Sequence, residues 1–153
     1  MTDITNIVEA IATVLTAAIP AIDANSKDDF LPAVDTDDTA LVLPVFGQES
    51  EYGTYNLTDT ANYQSHRLRA ELWVKHLGDV GDTTTRTRER IAQAVKALRD
   101  SDDLGLGAGV TVATFDGRTF DVRIEASVAA DPVDIGGVPF IVITLIVPVT
   151  KFD

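Results

Sequence analysis

The sequence predicts an α+β domain: two α-helices packed on one face of a mainly antiparallel β-sheet, in the order α-β-β-α-β-β-β. Residues 3–24 carry apolar side chains at the 3.6-residue period of a helix, and 83–100 repeat that pattern more weakly. Residues 63–77 and 118–129 alternate at the two-residue period of a strand, and 138–152 form a long Val/Ile-rich run. At 153 residues and 45% hydrophobic content the chain is long enough for one core, so 1–153 is read as a single domain.

In the first segment Ile4, Ile7, Val8, Ile11, Val14, Leu15, Ala18, Ile19 and Ile22 form one stripe. Thr2 or Asp3 can cap it, and Pro20 ends or kinks its last turn. An acidic connector, 25–38, follows, with Phe30, Leu31 and Val34 as its anchors to the core. TALVLPVF (39–46) is a short strand, and Pro44, which has no N–H to donate, places it at an edge or a bulge. Residues 47–62 are polar and aperiodic, which predicts a long contact loop bearing Tyr52 and Tyr55.

From Tyr63 to Leu77 one face holds His66, Leu68, Ala70, Leu72, Val74 and His76, and the other holds Arg67, Arg69, Glu71, Trp73 and Lys75. The first face is predicted to be buried, and the second to be a charged outer surface anchored by Trp73. After a turn at 78–82, Asp82 caps helix 83–100. The helix's apolar residues Ile91, Val95 and Leu98, with Ala92 and Ala94, lie in its second half, whereas its first half carries Arg86, Arg88 and Arg90. Cations near a helix N-terminus oppose the macrodipole. Arg86 and Arg90 share a face, so either they lie on a solvated helix end or they meet acidic groups of a neighbouring subunit.

Residues 101–109 read as a loop and 109–115 as a strand, with Asp116-Gly117 marking a type I′ hairpin turn. In the next strand, 118–129, Phe120, Val122, Ile124, Ala126 and Val128 are expected to point inward. A turn at 130–137 leads to 138–152, whose apolar residues on both faces fit a central strand or one covered by another subunit.

Charge and composition narrow the function. Twelve Lys and Arg stand against 24 Asp and Glu, a net charge of −12, so general affinity for DNA phosphates is not expected. There is no cysteine, which excludes disulfides, zinc–thiolate sites and thiol nucleophiles. Met1-Thr2-Asp3 lacks the basic start of a signal peptide, and no apolar run reaches the roughly 20 residues of a membrane helix. A soluble protein made in a cytoplasm is the expectation.

Catalytic motifs are absent. His66 and His76 lie ten residues apart on one strand, roughly 33 Å, and cannot share a metal or a proton. GLGAG (105–109) follows a helix and precedes a strand, the reverse of a dinucleotide-binding turn. The cluster Asp35, Asp37 and Asp38 lacks the glycine and distal glutamate of a calcium loop, which favours a solvated loop. No cofactor, metal or catalytic residue is expected, and the chain is not read as an enzyme.

The order and spacing of these elements, with HRLRAELWVK (66–75) and IVITLIVPV (141–149) as the closest stretches, resemble the tail terminator (tail completion) proteins of long-tailed bacteriophages and archaeal tailed viruses. The resemblance covers almost the whole chain as architecture. It implies a structural virion protein of the neck, assembled in the host cytoplasm as a homo-hexameric ring. Such a ring caps the tail tube, ends its polymerisation and joins the tail to the head-closure or connector protein. DNA passes through the lumen without specific binding, and no membrane is involved. Under this reading Tyr52, Tyr55, Arg67, Arg69, Glu71, Trp73, Lys75, Arg86 and Arg90 are candidate subunit or partner contacts, and Trp73→Ala or Arg67→Glu is expected to impair assembly more than folding. Another neck component (head-closure or adaptor protein), a tail-tube subunit, or a small-ligand-binding α+β domain or enzyme near His66 are the alternatives.

Overall fold

Helix α1 (Ile4–Ala18) buries Ile7, Ile11 and Leu15, and Ile19 completes the stripe just past its end. The computed structural model describes residues 4–23, 36–44, 48–54, 62–107 and 109–152, so the cap at Thr2 or Asp3 and the anchors Phe30, Leu31 and Val34 lie outside the described residues. The helix stops earlier than its periodicity suggests. Pro20 cannot continue the hydrogen-bond ladder, and Ile22–Asp23 become strand β1, paired in parallel with β2 (Thr39–Val42).

β2 ends before Pro44, whose missing N–H therefore costs no ladder bond. Residues 49–54, expected as loop, form strand β3 (Glu49–Thr54), antiparallel to β4 (Asn62–Lys75). β3 leaves no hydrophobic period in the sequence because Glu49, Ser50, Glu51 and Tyr52 are all exposed. β2 and β3 lie end to end along β4, and Gln48 spans the gap between them. Its side-chain amide accepts from the Arg69 N–H at 2.7 Å and donates to the Arg69 carbonyl at 3.2 Å, standing in for a strand residue.

Helix α2 runs from Val80 to Asp100, three residues longer at its start than expected. The cap is Asp79 rather than Asp82: Asp79 Oδ1 accepts from the N–H groups of Gly81 and Asp82. Threonine is a poor helix former because its hydroxyl competes for backbone partners. Here the hydroxyls of Thr83, Thr84, Thr85 and Thr87 all donate to the carbonyl four residues back, at 2.8–3.1 Å, so the competition is satisfied inside the helix.

The remaining strands are β5 (Val110–Thr111), β6 (Thr114–Phe115), β7 (Phe120–Asp121), β8 (Glu125–Val128), β9 (Val133–Ile135) and β10 (Val138–Phe152). The two long strands expected at 109–115 and 118–129 are each broken into short pieces. The predicted type I′ turn at Asp116-Gly117 is a four-residue loop between Phe115 and Phe120, with the Asp116 carboxylate accepting from the N–H groups of Arg118 and Thr119. A two-residue turn of that kind falls instead at Gly136-Gly137, where φ is 58° and 82° and Ile135 faces Val138. Gly109 is required for another reason: a Cβ there would stand 2.6 Å from the Phe152 carbonyl oxygen.

β10 is the central strand. It pairs antiparallel with β4 over its length from Phe140 to Phe152, and on its other edge with β9, β8 and β5 in turn. The architecture is thus α+β with a mainly antiparallel sheet. Both helices join Leu68, Ala70, Leu72 and Val74 of β4 and Ile143, Leu145, Val147 and Val149 of β10 in one core. These strand residues share one face of the sheet, which is the face both helices cover. The opposite face is not wholly exposed either: Trp73, Ala40, Val42, Phe140 and Val142 form a second cluster, with Val133, Ile135 and Val138 packed against it.

Candidate functional site

The outer face of β4 is graded along its length. Arg67 is exposed and lies between two carboxylates, Glu125 Oε2 at 3.1 Å from its Nη2 and Glu49 Oε2 at 3.6 Å from its Nε. It thereby links β3 to β8 across β10. Arg69 Nη2 reaches Glu71 Oε2 at 2.6 Å, and Trp73 Nε1 donates to Glu71 Oε1 at 3.3 Å. Glu71 and Trp73 are buried within the subunit, with Trp73 edge-on to Phe140 at 5.8 Å. The expected charged surface anchored by tryptophan is therefore a surface only at Arg67 and Arg69. Beyond them the β9–β10 hairpin covers it.

Arg86 and Arg90 take neither of the two positions considered for them. Both are almost buried and converge on Asp38, whose Oδ2 is 3.4 Å from Arg86 Nη1 and whose Oδ1 is 3.1 Å from Arg90 Nη2. Thr39 Oγ1 also donates to Asp38 Oδ1, and Arg86 donates to the Lys75 carbonyl at 2.7 Å. Burial pushes the Asp38 carboxyl up, but the hydrogen bonds from Thr39 and Arg90 and the two guanidinium charges outweigh it and hold the group below its ordinary value. Asp38 thus ties helix α2 to the start of β2, where the sequence suggested a solvated acidic loop. Asp35 of that loop lies outside the described residues.

His66 is fully buried. Its Nδ1 sits 2.7 Å from Ser50 Oγ and its Nε2 is 3.2 Å from Gln64 Oε1. An amide oxygen only accepts, so Nε2 carries the proton and Nδ1 accepts from the Ser50 hydroxyl. The contact has the spacing of a serine–base pair, but its setting disfavours catalysis. Burial lowers the imidazole's affinity for a proton, and an amide rather than a carboxylate stands behind it, so an imidazolium would gain no countercharge. Tyr52 packs edge-on against this ring at 5.8 Å while remaining 65% exposed. His76, just past β4, is bonded through Nδ1 to Thr83 Oγ1 at 2.9 Å.

The nine candidate contacts therefore separate. Arg67, Arg69, Glu71 and Trp73 share the outer face, with Lys75 half-buried at its end. Tyr52 lies on the opposite face, beside His66. Arg86 and Arg90 belong to the Asp38 cluster, and Tyr55 lies outside the described residues.

Two surfaces escaped the sequence reading altogether. Phe120, Val122 and Val128, expected in the core, are 53%, 52% and 45% exposed. The register puts Ala126 and Val128 opposite Leu145 and Ile143, on the helix-covered face as expected. However, α2 lies over β4 and β10 and does not extend over β8. What remains is an apolar groove of about 530 Å³ between α2 and β8, lined among others by Val80, Arg88, Ile91, Val128, Pro139 and Ile141. Among the described residues, no helix is long and apolar enough to cross a membrane. In comparison with known proteins, the chain matches no family model and no curated protein.

Proposed function

We propose that this protein is a structural subunit of a virus neck ring, of the tail-terminator kind, that closes the end of a tail tube and joins it to the head connector. The observation that carries the reading is the exposed apolar surface of Phe120, Val122 and Val128. A domain with a helix-covered core nonetheless leaves Phe120 on β7, Val122 in the segment after it and Val128 at the end of the short strand β8 about half exposed. Exposed apolar surface of this kind marks a protein contact. An open strand edge is a further invitation to pairing that soluble monomers avoid. The charged outer face around Arg67 and Arg69 supplies a second, polar surface for the tube or the connector. A net charge of −12 supports a channel through which DNA passes without adhering. The role is mechanical, with no catalysis of its own.

The test is assembly. Light scattering coupled to size-exclusion chromatography should give a closed ring of six copies, and electron microscopy should show that ring on the ends of tail tubes when tube subunits are supplied. A chain that stays monomeric at high concentration overturns the reading. Unlimited tubes formed by the chain alone would make it a tube subunit, and binding to the connector but never to tubes would make it a head-closure or adaptor protein.

A further inference from the structure

Two exposed apolar features lie at opposite ends of the central strand. At one end Phe120, on the β6–β7 hairpin, stacks among Phe115 and Phe152 at 4.9 and 5.9 Å between ring centroids, with more than half of its surface still open. At the other end is the groove between α2 and β8, which Ile141 lines. Phe120 and Val128, which lines the groove, are eight residues apart in the chain, so the two features are separated by at most about 29 Å. They also differ in shape and charge: one is an aromatic projection, the other a hollow.

Arg88 lines the groove and, among the described residues, has no carboxylate within salt-bridge distance, whereas Arg86 and Arg90 on the same helix are both committed to Asp38. Asp121, next to Phe120, is paired among the described residues with Arg123 at 3.4 Å, and both side chains are mostly exposed. Such a surface pair contributes little and exchanges partners readily. Apart from Arg88, the groove offers little to a small polar ligand. The hydroxyls of Thr83, Thr84 and Thr87 donate to their own helix, and His76 Nδ1 is bonded to Thr83.

We propose that the groove between α2 and β8 receives the Phe120 hairpin of a second copy of this chain, with Arg88 facing Asp121 of that copy. Because the two surfaces are different and separate, the contact is head-to-tail, the kind that closes into a ring when the rotation per copy permits. The inference rests on the ring reading above and specifies which surfaces build the ring.

The experiment uses Phe120→Asp and Val80→Glu, substitutions at side chains 53% and 71% exposed, with thermal melts to confirm that both variants fold. Each should lower assembly at least about tenfold by light scattering, since one buried aromatic or one buried charge decides such contacts. Mixed together, each variant retains one intact half of the contact, so the mixture should stop at dimers. The charge exchange Arg88→Asp with Asp121→Arg should restore assembly that either change alone weakens. Rings that form normally from both variants overturn the docking while leaving the ring reading intact. Head-to-tail oligomers that never engage tubes or connector overturn the neck reading while leaving the docking intact. A monomeric wild type overturns both. If the groove variants instead abolish uptake of an apolar dye and assembly is unchanged, the groove is a small-ligand site and the docking is wrong.

Discussion

β4 and β8 flank the same central strand, and both carry alternating sequences, yet one is enclosed and the other is bare. β4 pairs with β10 from Tyr63 to Lys75, lies under both helices on one face and is covered by the β9–β10 hairpin over half of the other. β8 pairs over four residues, beyond the reach of α2, and all four are exposed. Alternation therefore assigns side chains to faces. Whether a face is buried depends on what lies above it, and here a single helix makes the difference.

The contrast breaks most sharply at Trp73. With 7% of its surface exposed and Phe140 against it, Trp73→Ala should cost about 3–5 kcal/mol of monomer stability in urea unfolding. The sequence alone suggested instead that assembly would suffer first. A loss under about 0.5 kcal/mol would mean that the outer cluster is not a core.

Next in size is the tie that sets α2 over β4. Asp38→Ala strands two nearly buried guanidinium groups and should cost about 2–4 kcal/mol. The same carboxylate is held below its ordinary value of 3.8 in the folded state. Its contribution is therefore complete above that value and disappears as pH falls through the lowered one. The Asp38→Ala variant should show a flatter loss of stability than the wild type as pH falls below 3.8. Equal slopes would remove Asp38 from the account.

His66 provides a smaller and opposite test on the enclosed side. Burial lowers its proton affinity below the ordinary 6.5, so the unfolded chain binds the proton more readily than the folded one. Stability from the neutral ring is complete above pH 6.5 and declines as pH falls below it. His66→Gln should abolish that decline in a pH series of thermal melts, with the Asp38 decline at lower pH left in place.

The smallest effect belongs to the bare side. Val128→Ala and Phe120→Ser should each change monomer stability by less than about 0.5–1 kcal/mol, because both residues are about half exposed and leave no closed cavity. A loss of the size expected at Trp73 would show that β8 is covered within the single chain.

Much of the helix-covered core was legible in the sequence. Ile7, Ile11 and Leu15 on α1, Leu68 to Val74 on β4 and the apolar length of β10 announce their partners by period, since burial on one face imposes the repeat of the element. The polar strand β3 was not legible, because a strand exposed on both faces carries no such repeat. The Asp38 cluster was hidden for a different reason. Its members stand 48 and 52 positions apart, and nothing local distinguishes an aspartate that anchors two arginines from one that faces water.

The sequence by itself determined the α+β class, the central position of 138–152, and the faces to which residues of β4 and β8 point, because backbone geometry ties side-chain direction to position along the chain. Only the tertiary structure decided that Glu71, Trp73, Arg86 and Arg90 are enclosed within the subunit, while Phe120, Val122 and Val128 are left bare. Burial depends on the length and placement of other elements, above all where α2 ends its cover of the sheet, and that is a property of packing rather than of any local pattern.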